Sequence, residues 1–433
     1  MKLIERLLVG LLLVIAAGIV VHAPLTVWLG TQYPDAANYI KSWKEILMAV
    51  ALILFVIIAW RTQKVGGLLR DRLMQLALVY AGIHFMMIAI FQDTSYGAGL
   101  LIDLRFVLYF VLVYGTLKIL PDYRKLLLTA FAGGAAAVLI FALLQIFVLP
   151  RDFLANIGYS RDTIAPFLTV DKNPDYIRIN STLRGPNPLG AYVVIVASVI
   201  FAYAVKYREK LADRKKWLVL GGAVAAGLVI GATYSRASVI GLGVALIIVA
   251  MSVVTIHARK VIATGLITAL VVVLAVVVIG REHPLISNVV WHDNPTGGSA
   301  VDSNEGHADS LVDGFMRMVR QPLGAGVGST GSASLDSDNP LIIENQYLFI
   351  AHEVGWIGLA VFVWLFVEVM KKLWQRRTGA LALGVFASGC GIAVIGILHP
   401  VWVDDTVSIV WWGLAGIAAA TEVRRRHGKR TRN

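Results

Sequence analysis

Arg236, His307 and Glu344 are the residues whose types and settings point most directly to chemistry. Arg236 lies in Tyr234-Ser235-Arg236-Ala237-Ser238, between two apolar runs. An arginine at the edge of a membrane span is costly unless its stem carries the charge to water or an anion meets it. Its guanidinium is a planar fork that matches phosphate oxygens. Glu344 opens Glu344-Asn345-Gln346-Tyr347-Leu348, where a long polar stretch dives into an apolar one. Facing a cavity beside hydrocarbon, such a carboxylate can take the proton of an attacking hydroxyl. Tyr347, Ala351 and Gly355 continue its helical face. His307 begins His307-Ala308-Asp309-Ser310-Leu311 and can hold an anion or a proton. Each residue also has a plainer reading: a snorkelling arginine, a solvated loop histidine, and a glutamate that favours a helix N-terminus.

Arg184 precedes the rigid turn Gly185-Pro186-Asn187-Pro188. Asn187 and Pro188 suit the start of a helix, which leaves Arg184 as a second contact for phosphate or sugar. His352 and Glu353 stand one to two turns inside the following span, where charge is expensive, so they should pair with each other or with a neighbour. His399, Asp404 and Asp405 flank a later turn on the same side.

These residues must be positioned by membrane helices. The chain has 433 residues, 58% hydrophobic and 15% charged, with mean hydropathy +0.73; soluble domains average about a quarter charged. About twelve stretches approach the ~20 apolar residues of a span: 5–23, 44–60, 73–91, 100–120, 126–149, 188–205, 217–234, 237–256, 261–280, 346–370, 379–398 and 406–422. The first resembles a signal peptide, but it lacks a convincing small-residue cleavage site, so it reads as a retained span. The fold class is all-α, a polytopic membrane protein forming one integral membrane domain over 1–433. Most of the 39 Lys and Arg fall in the connections 61–72, 118–125, 206–216, 257–260 and 371–378, and at the two ends. That bias places both termini in the cytoplasm and explains the net charge of +12 without nucleic acid. Two long loops, 150–187 and 281–345, then face outward. In the second, Asn304–Arg320 repeats apolar residues at helical spacing, predicting a surface helix that Pro322 ends. Residues 293–305 and 328–340 read as mobile connections.

The single cysteine, Cys390, allows no intrachain disulfide. The chain has no Gly-x-x-x-x-Gly-Lys loop, no Cys/His metal pattern and no soluble domain for a nucleotide sugar. An outward-facing enzyme of this kind must draw its energy from a preactivated, membrane-borne substrate.

Taken in order, the signals resemble a known family. Arg184-Gly-Pro-Asn, then Ser235-Arg236, then the helix ending in Pro322-Leu323-Gly324-Ala325-Gly326, then Glu344-Asn345 before Gly355-x-x-Gly358 is similar to the bacterial O-antigen ligase and O-antigen polymerase superfamily. The resemblance implies an outward-facing site in the cytoplasmic membrane. It implies transfer of a glycan from undecaprenyl diphosphate to a hydroxyl of a glycan, lipid or protein acceptor, without cofactor or metal. In those terms Glu344, His307 and Arg236 are catalytic, and Arg184, Asn187, Asn345 and Tyr347 bind substrate. Ligases of the family have a histidine where this chain has Glu344, and commonly an arginine where it has His307. The substitutions suit a polymerase at least as well as a ligase. A transporter or flippase for lipid-linked glycans is the alternative from another class, against which stands the lack of a two-fold repeat. A protein O-oligosaccharyltransferase of the same superfamily is a third.

Overall fold

The computed structural model describes the chain except residues 92–95, 210–211, 254–263, 265–274, 285, 292–302, 337–339 and 422–433, and the side chains of 96, 289, 303–308 and 336. The apolar runs form helices: α1 (Lys2–Gly18), α2 (His22–Gln32), α3 (Trp43–Arg61), α4 (Arg72–Ile90), α5 (Tyr96–Ile119), α6 (Arg124–Phe147), α7 (Pro186–Tyr207), α8 (Asp213–Ala232) and α9 (Arg236–Val253). They continue as α10 (Ser303–Arg320), α11 (Gln346–Gln375), α12 (Ala380–Ile395) and α13 (Asp405–Ala420). Nine helical stretches among the described residues are long and apolar enough to cross a membrane, with α1 and α2 joined in one of them. The shorter apolar helices α12 and α13 add to these. Eleven of the twelve expected spans therefore have a described helix; most of the twelfth, 261–280, lies outside the described residues.

Two features pack the bundle. Small residues let helices approach closely, as membrane interfaces require: a Cβ on Gly391 of α12 would strike the carbonyl of Gly241 on α9. At the centre, Trp411 and Trp412 of α13 are fully buried against Phe106, Phe366 and Trp402. The helix starts are fixed locally. Asp71 accepts from the Leu73 amide at 3.0 Å, and Asp404 from that of Val407 at 2.9 Å.

The loop 150–187 is more ordered than its scattered charges suggest. Strands β1 (Leu168–Val170) and β2 (Asn173–Arg178) pair antiparallel, with Thr169 opposite Ile177. Asp171 and Lys172 make the tight turn, both at positive φ, as hairpins with two-residue turns favour. The hairpin leads onto the end of α8, where the Ile179 amide donates to the Ala232 carbonyl at 3.2 Å.

The surface helix is present as α10, one residue longer than expected, and its chain turns at Pro322. The segment beyond Pro322 departs from the expected loose connection. Gly324, Gly326, Gly328 and Gly331 all have positive φ, and these turns fold the chain back against α11. Val327, Thr330 and Ser334 are buried there. Helix α11 is broken to receive the turn, with Val354 and Gly355 non-helical and Gly355 at φ +70°. Across the break the Ala325 amide donates to the His352 carbonyl (2.6 Å), and the Trp356 amide to Pro322 (3.0 Å). A Cβ at Gly355 would sit 2.6 Å from the Pro322 oxygen. The Gly355-x-x-Gly358 pair is thus a docking seat for the Pro-Leu-Gly-Ala-Gly turn.

Candidate active site

Arg178, Asn187, Arg236, Asn345 and His399 are brought together where α7, α9 and α11 begin. Arg178, at the end of β2, donates from Nε to the Thr233 carbonyl (2.8 Å) and from Nη2 to Asn187 Oδ1 (2.6 Å). Asn187 in turn lies 3.3 Å from His399 Nε2. Burial and the nearby Arg236 push the Arg178 guanidinium down to about 10, so the two guanidiniums stand close and Arg178 stays charged at neutral pH. Arg236 is half-buried and donates from Nη1 to the Val290 carbonyl at 2.6 Å.

The link that sets Arg236 is strained. Tyr234 has φ +49°, a conformation that costs a bulky residue on the order of 1–2 kcal/mol. Its ring packs edge-on against Tyr176 of the hairpin, with centroids 6.1 Å apart. Ser235 and Ser238 join their hydroxyls at 2.9 Å beneath Gly190 of α7. The hairpin, α7 and the α8–α9 turn therefore hold Arg178 and Arg236 as one unit.

The start of α11 reaches the same place. Asn345 caps the helix, accepting from the Tyr347 and Leu348 amides at 2.9 and 3.0 Å, and donates to the Ile397 carbonyl at 2.7 Å. The Gln346 amide donates to Gly396 (2.8 Å), and Gln346 Oε1 accepts from the Trp402 amide (2.7 Å). Tyr347 donates its hydroxyl to the Ala393 carbonyl at 2.8 Å. These bonds tie the helix start to the turn that carries His399. Glu344 precedes the cap, half-buried, and its amide donates to Ser310 Oγ of α10 at 3.4 Å. The side chain of His307, on the same helix, lies outside the described residues.

Arg184 is exposed and stands apart from this chain of bonds; its charge acts on Asp404. Burial, with Asp405 beside it, pushes Asp404 up to about 6, while the Val407 amide, Arg105 and Arg184 pull the other way. Asp405 belongs to a separate, closed network. Its Oδ2 meets His22 Nε2 at 2.9 Å and Lys44 Nζ at 3.1 Å, and Arg105 at 3.9 Å. Lys44 and Arg105 also reach Glu45, at 3.2 and 3.8 Å. Arg105 donates in addition to the Val403 carbonyl. Glu353 does not pair with His352: its Oε1 accepts from the Gly328 and Thr330 amides at 3.1 and 3.4 Å, fastening the docked turn.

Sequence reasoning passed over Arg178. It sits in an unremarkable loop, and only the hairpin carries it to Asn187 and Arg236. The one available signal was an arginine just before the Ser181–Pro188 turn.

Residues 221–363 match the family model Wzy_C, described as O-antigen ligase. That match, over about a third of the chain, supports the likeness to the O-antigen ligase/polymerase superfamily. No curated protein matches the chain. The O-antigen ligase segment spans Arg236, α10, the docked turn, the break in α11, Glu344, Asn345 and Tyr347. Arg178, Arg184, Asn187 and His399 lie outside it, on the hairpin, the α7 start and the turn after α12. A membrane glycosyltransferase of the ligase or polymerase type is the activity this family implies.

Proposed function

We propose that the protein moves a glycan from a polyprenyl-diphosphate donor, of the undecaprenyl type, to an acceptor hydroxyl at the outer face of the cytoplasmic membrane. One observation carries this reading: Arg178, fixed to a backbone carbonyl and the Asn187 amide oxygen, stands close to the guanidinium of Arg236 at the helix mouths beside Asn187 and His399. Two cations so placed favour a doubly charged anion, and the strain of Tyr234 is consistent with a fixed position for one of them.

In the reaction, the acceptor oxygen forms a bond to the anomeric carbon. The bond from that carbon to the diphosphate oxygen breaks, and its electron pair leaves on the diphosphate. Arg178 and Arg236 stabilise that growing charge, a preorganised contribution that is usually the largest in such catalysis. Glu344 accepts the hydroxyl proton, and the single displacement inverts the carbon. His307 and Arg184 contact the acceptor or the outer sugars. Asn345 and Tyr347 serve as positioning residues, because their bonds to 393–397 set where Glu344 begins. The termini are on the cytoplasmic side.

The test is transfer in vitro from purified undecaprenyl-diphosphate glycan. Glu344→Gln keeps size and hydrogen bonding and removes the proton acceptor, so transfer falls ~10²–10⁴-fold while donor binding survives. Activity of the Gln variant within a few-fold of wild type removes Glu344 from the mechanism.

A further inference from the structure

A cavity of about 1000 Å³ lies between α6, α7, α8 and α13, walled by apolar side chains such as Leu139, Leu143, Ile195 and Leu218. One end of it, here called its mouth, lies at the opposite end of α7 from Asn187. Tyr203, Tyr207, Trp217, Arg124 and Arg376 stand there. From Tyr207 to Tyr192 its wall runs along α7, roughly 22 Å at 1.5 Å per residue. Trp217 is 72% exposed, and the rings of Tyr203 and Tyr207 lie 4.8 Å apart, as aromatic side chains at a membrane–water boundary do.

Among the described residues, the two arginines at this mouth meet neutral acceptors or none. Arg376 donates from Nε to the Thr421 carbonyl (2.6 Å) and from Nη1 to Lys372 (3.4 Å), both neutral acceptors. Arg124 has its Nε buried with no hydrogen-bond partner. Asp71 is the carboxylate that acts on Arg376 from this end, and it is already engaged by Lys118 (2.6 Å), Tyr114 (2.8 Å) and Lys372 (3.7 Å).

We propose that this cavity binds an anionic phospholipid from the leaflet opposite the candidate active site. Its phosphate lies between Arg124 and Arg376, and an acyl chain runs along α7. A polyprenyl donor with its diphosphate at Arg178 and Arg236 does not serve here. Its anion would be a bilayer thickness away, ~30 Å, and would leave Arg124 and Arg376 without one.

The full-length protein in nanodiscs of equimolar phosphatidylglycerol and phosphatidylcholine, washed and extracted, reports the retained lipid by mass spectrometry. Phosphatidylglycerol is retained in preference to phosphatidylcholine. The double variant Arg124→Ala/Arg376→Ala lowers its retention roughly 30-fold, about fivefold per arginine, as loss of ~1 kcal/mol per basic residue requires. Gly221→Phe keeps both arginines and adds bulk to the cavity lining at a position where a Cβ meets nothing within 4 Å; it is expected to lower retention at least ~10-fold. If the double variant does not fold, Gly221→Phe decides alone. The proposal is overturned by equal retention of the two phospholipids, by unchanged retention in the variants, or by a co-purified polyprenyl phosphate as the occupant.

Discussion

Among the described residues, a buried and a half-buried group of cations are satisfied in opposite ways. Lys44 and Arg105 are 3% and 8% exposed and meet the carboxylates of Asp405 and Glu45, with His22 closing the ring. Arg178 is held by a backbone carbonyl and the Asn187 amide, and the next strong field it feels is another arginine. The first network is charge-balanced within the protein and ties α2, α3, α5 and α13 together. The second holds positive charge with no carboxylate on Arg178 among the described residues, which is what the proposed diphosphate donor needs. Charge alone thus identifies neither structure nor site; the chemistry of the partners does.

The contrast between the two groups is broken most forcefully in the closed network. Arg105→Ala leaves Asp405 and Glu45 short of a cation in a buried setting, which costs on the order of 3–5 kcal/mol. The expected outcome is loss of folded protein, read by thermal unfolding in detergent. A variant that melts like wild type means this network does not hold the helices. Next in size is Gly355→Ala. It places a Cβ at φ +70° and against the Pro322 oxygen, costing at least ~1–2 kcal/mol. The docked turn is expected to detach, so limited proteolysis between Pro322 and Leu341 speeds up before the bundle melts.

A smaller effect tests the border between the groups. Asp404 titrates near 6 in the folded chain against 3.8 in the unfolded one. The folded state therefore binds the extra proton between those values, and stability falls as pH rises from about 4 to 6. Asp404→Asn keeps a capping oxygen for the Val407 amide. It is expected to flatten that slope and to raise the melting temperature at pH 7 by a few degrees. An unchanged slope assigns the pH dependence to another group.

The spans and the surface helix were legible because hydropathy and helical spacing are local properties. So were Pro322 and the glycine pair, though not that Gly355 interrupts a helix to seat the Pro322–Gly326 turn, which depends on what packs there. The hairpin was illegible because Asn173-Pro174-Asp175 does not alternate and Asp171-Lys172 is not a glycine turn. His22 and Asp405 meet across nearly the whole sequence, a pairing no local pattern encodes. Arg184 was more conspicuous than Arg178 because it stands beside a Gly-Pro turn. Exposure and position in the fold, not motif, favour Arg178 as the partner of Arg236.

The central claim is that Arg178 and Arg236 form the diphosphate site. Arg178→Lys and Arg236→Lys preserve charge and remove the planar fork. Transfer from undecaprenyl-diphosphate glycan is to be measured for each at matched folded protein, with thermal unfolding alongside. Each variant is expected to lose at least ~10-fold in transfer, the cost of one good charged contact, with an unfolding temperature close to that of wild type. Wild-type transfer in both lysine variants would contradict the account and return these arginines to the role of structural anchors.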